Sequence, residues 1–345
     1  MQSFVTKAGK ANSISRREFL RMAGATALTA PMLNRQQLAQ LGDGQEATSA
    51  QPNADKPNIL IVVVDQMGDA QWFPDQAILD QKLPNIARIR NGAAQFQRHY
   101  TGACMCTPSR AVMLTGLYTH QTYVFNTQVN RLDPNFPTWG DALRDLGYAT
   151  WWYGKWHLED PSTGECCSGD DLEAYGFKGG TKPDPAGSPA QGQTRDPGIA
   201  DQVVTWLGGD DAKTAPWCTT VSFVNPHDIM WYPRFTEQIP AQSDPPKVFT
   251  KLPENFETPS DLQDHNKPSL QRSVQTAAAQ QFGVMRFNGL NYEKEWLEMQ
   301  DLYLLLQQEV DTQIGKILDA LEANPTLAAN TIIIFTSDHG EYCGA

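Results

Sequence analysis

Asn58-Ile59-Leu60-Ile61-Val62-Val63-Val64-Asp65-Gln66 is the stretch on which the fold turns. From Ile59 to Val64 every side chain is apolar and most are β-branched, with no alternating polar residue. Such a run reads as a strand covered on both faces, the habit of parallel sheets. Working outward, helices are predicted over 83–92, where Ile86 and Ile89 share a face, and over 108–116, which Pro108 opens. Another is predicted over 138–146, with Gly147 as its stop. Strands follow at 148–153 and 217–224, with a helix over 200–207 between them. The longest helix runs from about 292 to 322, because Leu302, Leu306, Val310, Ile314, Ile317 and Leu321 recur at helical spacing. A last strand, 331–336, ends at Ser337-Asp338-His339-Gly340. Segments 159–198 and 232–270 are rich in Pro, the first also in Gly and Asp, and read as loops. Strands alternating with helices predict an α/β fold: a mostly parallel sheet sandwiched by helices.

In such sheets ligands bind beyond the carboxyl ends of the strands. Four predicted strands end in chemistry-bearing residues: Asp65-Gln66, Lys155 and His157, His227, and Asp338-His339. Asp65, Gln66 and Asp338 offer oxygen to a hard divalent cation. His339 offers nitrogen, or a contact to substrate. Taken singly, each has a plainer reading. An Asp after a strand caps the following helix. Cys106 beside an apolar helix is core, Lys155 is a surface charge near tryptophans, and His227 sits in a turn. Four such strand ends together argue for a site. His99, His120 and His265 are read as packing or surface residues, and Trp151-Trp152 as core.

The chain has 345 residues, 40% of them hydrophobic, with 26 glycines and 23 prolines, enough for a sizeable core joined by many loops. The net charge of −12, with no basic cluster in the body of the chain, excludes a broad nucleic-acid surface and leaves small anions open. None of the six cysteines forms a C-x-x-C pair, so a zinc ribbon is not indicated. Cys166 or Cys167 could form a disulfide in an oxidising compartment, with connectivity open. Near the start, Ser15-Arg16-Arg17-Glu18-Phe19-Leu20 resembles a twin-arginine export motif, and the apolar run 22–30 after it is too short to span a bilayer. Residues 1–33 are therefore expected to be a twin-arginine signal peptide, read by the Tat translocase, and 34–56 a linker. The destination would be the periplasm or outside the cell.

Cys106-Thr107-Pro108-Ser109-Arg110, continuing to Thr115-Gly116, resembles the sulfatase signature. Other segments resemble further elements of that family in its order: Asn58 to Gln66, Gly154-Lys155-Trp156-His157, Pro226-His227-Asp228, Glu309 to Gly315, and Ser337 to Glu341. The resemblance covers roughly 57–345 and implies an alkaline-phosphatase-like catalytic domain that hydrolyses sulfate monoesters. It implies that a formylglycine-generating enzyme converts Cys106 to formylglycine, the nucleophile. It implies a Ca²⁺, with Mg²⁺ as the alternative, held by Asp65, Gln66, the modified Cys106, Asp338 and His339. Arg110 would hold the modified side chain, Lys155 would neutralise sulfate oxygens, His157 would act as base, and His227 would contact sulfate and protonate the leaving alcohol.

The chain departs from the family pattern at several places. Gln66 stands where many members have a second Asp, His339 where many have Asn, and Leu117 where a basic residue is usual. The family normally continues through a second catalytic lysine and a smaller C-terminal domain, so 57–345 is expected to be an incomplete catalytic domain, weakly active, with an apolar face exposed. The rival readings are a phosphonate monoester or phosphodiester hydrolase of the same superfamily, a non-catalytic fragment, and a disulfide-linked structural protein. The substrate is a sulfate ester, with sulfated carbohydrate among the candidates; the Asp65-Gln66 and Asp338-His339 pairs slightly resemble choline-sulfatase-like members. Specificity is expected in loops 159–198 and 232–290.

Overall fold

The computed structural model describes residues 3–7, 56–69, 73, 75–127, 131–158, 172–185, 187–214, 216–238, 245 and 247–342. Arg16-Arg17, the apolar run after it, nearly all of the linker, Cys166, Cys167 and Cys343 lie outside the described residues. The strands are β1 (Ser3–Lys7), β2 (Asn58–Val64), β3 (Ala94–Phe96), β4 (Ala149–Gly154), β5 (Lys178–Gly179), β6 (Trp217–Ser222) and β7 (Thr331–Ser337). They form one sheet in the order β3-β1-β7-β2-β6-β4-β5. β7, β2, β6, β4 and β5 are parallel to their neighbours. β1 pairs antiparallel with β7 and β3, so five residues of the stretch read as an export signal lie in the sheet.

The predicted elements recur with small shifts. The long helix is Tyr292–Glu322, and its periodic residues Leu302, Leu306, Val310, Ile314, Ile317 and Leu321 are all buried. It packs against the Gln191–Gly208 helix and shares with it one large core, which includes Leu60, Val62, Val64, Val203, Val221 and Phe335. A second core joins Trp152, Trp156, Tyr175 and Phe177 near the Cys106–Thr115 helix, where the ring pairs Trp152–Trp156 and Trp152–Phe177 meet edge to face at 5.1 and 5.6 Å. Trp152 is core as read, whereas Trp151 is half-buried and stacks on Tyr153. Ile61, Val63, Ile334 and Thr336, on β2 and β7, line a hollow of about 460 Å³ with Phe96, Tyr100 and Trp139. No helix among the described residues is long and apolar enough to cross a membrane.

The short helices Gln76–Lys82, Thr119–Thr122, Pro259–Asp264 and Pro325–Ala329 and the strands β1, β3 and β5 lie outside the reading, and two longer helices depart from it. Gln191–Gly208 starts inside the stretch read as loop and holds Pro197 in its interior. Ser269–Phe282 went unread because it follows a Pro-rich stretch and its inner face, with Val274, Ala278 and Phe282, is weakly apolar and buries no residue fully. Of the histidines read as bystanders, His99, His120 and His265 are all exposed.

The Pro84–Arg90 helix has no side-chain cap of its own. Asp311 of the long helix supplies it, accepting from Asn85 N at 3.2 Å, Asn85 Nδ2 at 2.9 Å and Ile86 N at 2.7 Å. The carboxylate thus satisfies orphan donors of one helix from the flank of another. Asp311→Ala is expected to cost about 2–3 kcal/mol, by lost capping and exposed donors. Urea unfolding would register this as a lower midpoint at unchanged m; an unchanged midpoint would refute the cap.

Candidate active site

The ends of four neighbouring parallel strands deliver the site. β2 ends at Asp65-Gln66, and Gln66 adopts a left-handed conformation with φ 66°. Tyr303 of the long helix, fully buried, braces this turn: its hydroxyl accepts from Gly68 N at 2.9 Å and donates to Gln66 O at 2.7 Å. β7 ends at Asp338-His339, and Asp338 Oδ1 accepts from His339 N at 2.8 Å and Gln66 N at 3.2 Å, locking the two turns together. β4 ends at Gly154, with φ 88°; a Cβ there would lie 2.0 Å from Ser222 O. Only glycine permits that approach. It brings Lys155 N to within 2.8 Å of the same carbonyl and turns the lysine inward.

Cys106 is the first residue of its helix, at the positive end of the peptide dipoles, and it is buried. Its Sγ lies 3.1 Å from His339 Nε2, 3.5 Å from Asp65 Oδ1 and 3.9 Å from Lys155 Nζ. One turn on, Arg110 is wholly buried. Its Nε donates to Asp338 Oδ2 at 3.0 Å, Nη2 to Asp65 Oδ2 at 3.4 Å, and Nη1 to Lys155 O at 2.7 Å and Ser222 Oγ at 2.9 Å. Lys155, also fully buried, donates to Asp65 Oδ2 at 2.6 Å. Lys155 is therefore no surface charge near tryptophans. The cation over an indole is Lys178, 5.8 Å above Trp151.

The charges tune one another. Burial opposes ionisation of Asp65, but Lys155, His227, Arg110 and His339 outweigh it and hold the carboxyl well below its usual range. Burial likewise opposes the charge on Lys155, and Asp65 more than restores it, so the ammonium is held above its ordinary pKa. His339 is driven the same way, up to about 11, by Asp338, Cys106 and Asp65 against the cost of burial. His157 and His227 go the other way. Burial first, then the Lys155 charge, pushes His157 well below the ordinary imidazole value and His227 down to about 3. Both are neutral at pH 7, and their buried Nδ1 atoms have no hydrogen-bond partner.

Asp65, Cys106, Asp338 and His339 place one ligand atom each within 4.8 Å of one another, all buried. Two carboxylate oxygens and an imidazole nitrogen suit a divalent cation, whereas the thiol sulfur suits a hard one poorly. Gln66 reaches the cluster through its main chain, while its side-chain Nε2 donates to Glu341 Oε2 at 2.6 Å. Asp65, Gln66, Cys106, Arg110, Lys155, Asp338 and His339 are thus drawn together. His157 and His227 border them, each held within the electrostatic reach of Lys155, Arg110 and Asp65. Sequence reasoning missed Ser222 and Tyr303. Neither follows an apolar strand in a marked motif, so only packing could have revealed them.

This architecture is the alkaline-phosphatase-like α/β fold. The family model "Sulfatase" matches residues 57–345, and the chain belongs to the sulfatase family. Among curated relatives it is 27% identical to a choline-sulfatase of Rhizobium meliloti (strain 1021) over 84% of this chain, and 28% identical to arylsulfatase K of Bos taurus over 93%. It spans 58% of the length of each. Among solved structures, a 2-O GAG sulfatase superposes with TM-score 0.59 at 23% identity, covering 84% of this chain and 59% of that one. A phosphonate monoester hydrolase from Silicibacter pomeroyi superposes with TM-score 0.56 at 21% identity, covering 84% and 63%.

Asp228, beside His227, offers a test of the charge reading. Its Oδ2 accepts from Gly192 N at 3.0 Å, and its buried Oδ1 has no partner. Burial, aided by Glu309, pushes this carboxyl up to about 7. A raised folded-state pKa means that the neutral form is favoured on folding. That stability is fully present below the ordinary value of 3.8 and is lost as pH rises through about 7. Thermal melts are expected to show the unsubstituted chain losing up to roughly 4 kcal/mol against Asp228→Asn across that window. Parallel pH profiles for the two would contradict the shift.

Proposed function

We propose that this chain carries the catalytic centre of a sulfate-ester hydrolase whose nucleophile is a formylglycine made from Cys106. The single observation that carries the reading is the seat of Cys106: a buried cysteine at a helix N-terminus, touching Asp65 and His339 with Lys155 close by. A thiol is a poor ligand for the hard ion that the two carboxylates favour. An oxygen in its place, such as a hydroxyl of a hydrated aldehyde, completes an all-hard donor set. Asp65, Asp338 and His339 would hold a Ca²⁺ or Mg²⁺, with His339 giving up the proton that the carboxylates otherwise keep on it and Gln66 at the margin. When bound, the ion would supply Lewis acidity toward the sulfate oxygens and lower the pKa of the nucleophile.

The chain's own residues then divide the work. One hydroxyl of the hydrated aldehyde attacks sulfur, the ester oxygen departs with a proton, and the enzyme is left as a sulfated hemiacetal. His157, kept neutral, takes the proton of the second hydroxyl, so that the C–O bond to sulfate breaks and the aldehyde returns. Water then regenerates the diol. Lys155 and the Arg110-held frame offset the charge that grows on the sulfate oxygens. His227, neutral in the resting pocket, hydrogen-bonds the sulfate. It protonates the leaving alcohol only after the anionic substrate raises its pKa. A sulfated carbohydrate is the proposed substrate class, supported by the 2-O GAG sulfatase among the structural neighbours. Arg16-Arg17 and the apolar run that follows support export by the Tat translocase to the periplasm or beyond, after modification by a formylglycine-generating enzyme in the cytoplasm.

Co-expression with a formylglycine-generating enzyme is expected to change the Cys106 peptide from the thiol mass to that of the aldehyde or its hydrate. An unmodified thiol, with a control sulfatase modified in the same cells, would refute the mechanism. On paired aryl sulfate and aryl phosphonate substrates the sulfate should be preferred; the reverse would favour the phosphonate hydrolase reading. Cys106→Ala should lower turnover by at least roughly 10³-fold, and a chelator should abolish it until the ion is restored.

A further inference from the structure

Both histidines are held by carboxylates from one short stretch that has no role in the chemistry above. Asp184, buried, accepts from Trp156 N at 2.7 Å and His157 N at 2.9 Å. His157 has φ 57°, a left-handed conformation that a residue with a side chain adopts only when its surroundings impose it. Asp196, also buried, accepts from Val224 N at 2.7 Å and Asn225 N at 2.9 Å, on the turn that leads from β6 to His227. Between them, Gly187 lies against the His227 imidazole so closely that a Cβ would sit 2.5 Å from its Cε1, and Gly187 O accepts from Trp231 Nε1 at 3.0 Å. Each carboxylate thus takes two successive main-chain N–H groups, Asp184 at His157 itself and Asp196 on the turn two residues before His227, and so fixes the main chain from which each imidazole departs.

We propose that Asp184 and Asp196 are positioning residues, each acting on its own histidine: Asp184 aims His157 and Asp196 aims His227. The proposal rests on the roles given above to His157 and His227. Asn at either position keeps the volume and one acceptor but turns an NH₂ toward the second N–H, which breaks half of the clamp.

The test uses the full chain with ¹³C-labelled histidine. Six histidines give six Cε1–H signals, and His157→Gln and His227→Gln identify two of them. Asp184→Asn is expected to displace the His157 signal and leave His227 in place; Asp196→Asn should do the reverse. In the sulfate assay each variant should lose about 10–100-fold in kcat with KM little changed. Asp184→Glu is the second variant, in case Asn at this position prevents folding. It retains the acceptors at greater length and should move the His157 signal alone. Signals that move together, or an unmoved His157 in a folded Asp184 variant, would overturn the proposal and leave these carboxylates a merely structural role. Should the unsubstituted chain show no sulfate hydrolysis while the selective shifts occur, the positioning stands and the sulfatase reading falls.

Discussion

Arg110 is the pin on which the site depends. Its guanidinium is wholly buried, so its donors must find partners in the protein or the charge becomes prohibitively costly. The partners it takes are Asp65, Asp338, the Lys155 carbonyl and the Ser222 hydroxyl, which stand at the ends of β2, β7, β4 and β6. One side chain therefore ties together the carboxyl ends of the four central strands. Because it sits one turn after Cys106, it also fixes how deep the helix N-terminus enters the sheet's edge.

The frame that Arg110 holds is a balance of buried charge. Asp65 meets Lys155 at 2.6 Å and Arg110 at 3.4 Å, which keeps the carboxylate ionised where burial alone would protonate it. Burial, and after it the Lys155 charge with Arg110 behind it, outweighs the pull of Asp65 and keeps His157 and His227 neutral. A single arrangement thus sorts the titratable groups into those that carry charge and those that can move a proton. It does so by geometry, since the residue types alone would titrate close to their ordinary values.

Much of the fold was legible. The Tyr292–Glu322 helix follows its apolar period end to end, and the strands at 58–64 and 331–337 follow their unbroken apolar runs, because burial on both faces leaves a pattern that local composition records. The helices at 191–208 and 269–282 were harder for opposite reasons. The first carries a proline that local rules count against a helix, and tertiary packing overrides it. The second buries no residue fully, and its inner face of small and mixed residues gives only a faint signal. In the site, Asp65, Lys155, Asp338 and His339 could be named in advance from strand ends, and Cys106 and Arg110 from the resemblance to the sulfatase signature. Asp184 and Asp196 could not, because a carboxylate that binds main-chain N–H groups needs no motif around it. Gln66 was read as a ligand through its amide oxygen; its amide nitrogen donates to Glu341 Oε2 at 2.6 Å, a contact that no local pattern announced.

By itself the sequence determined the four central parallel strands and the long helix, the polar residues that close those strands, and membership of the sulfatase family, all carried by local patterns along the chain. Only the tertiary structure decided which of those residues meet. Asp65 and Asp338 are separated by most of the chain and come together because β2 and β7 are hydrogen-bonded in register. Whether a lysine is a surface charge or a buried counter-ion, and whether a histidine is neutral or charged, depends on distances and desolvation. Those exist only once the strands have paired and water has left the cleft between their ends.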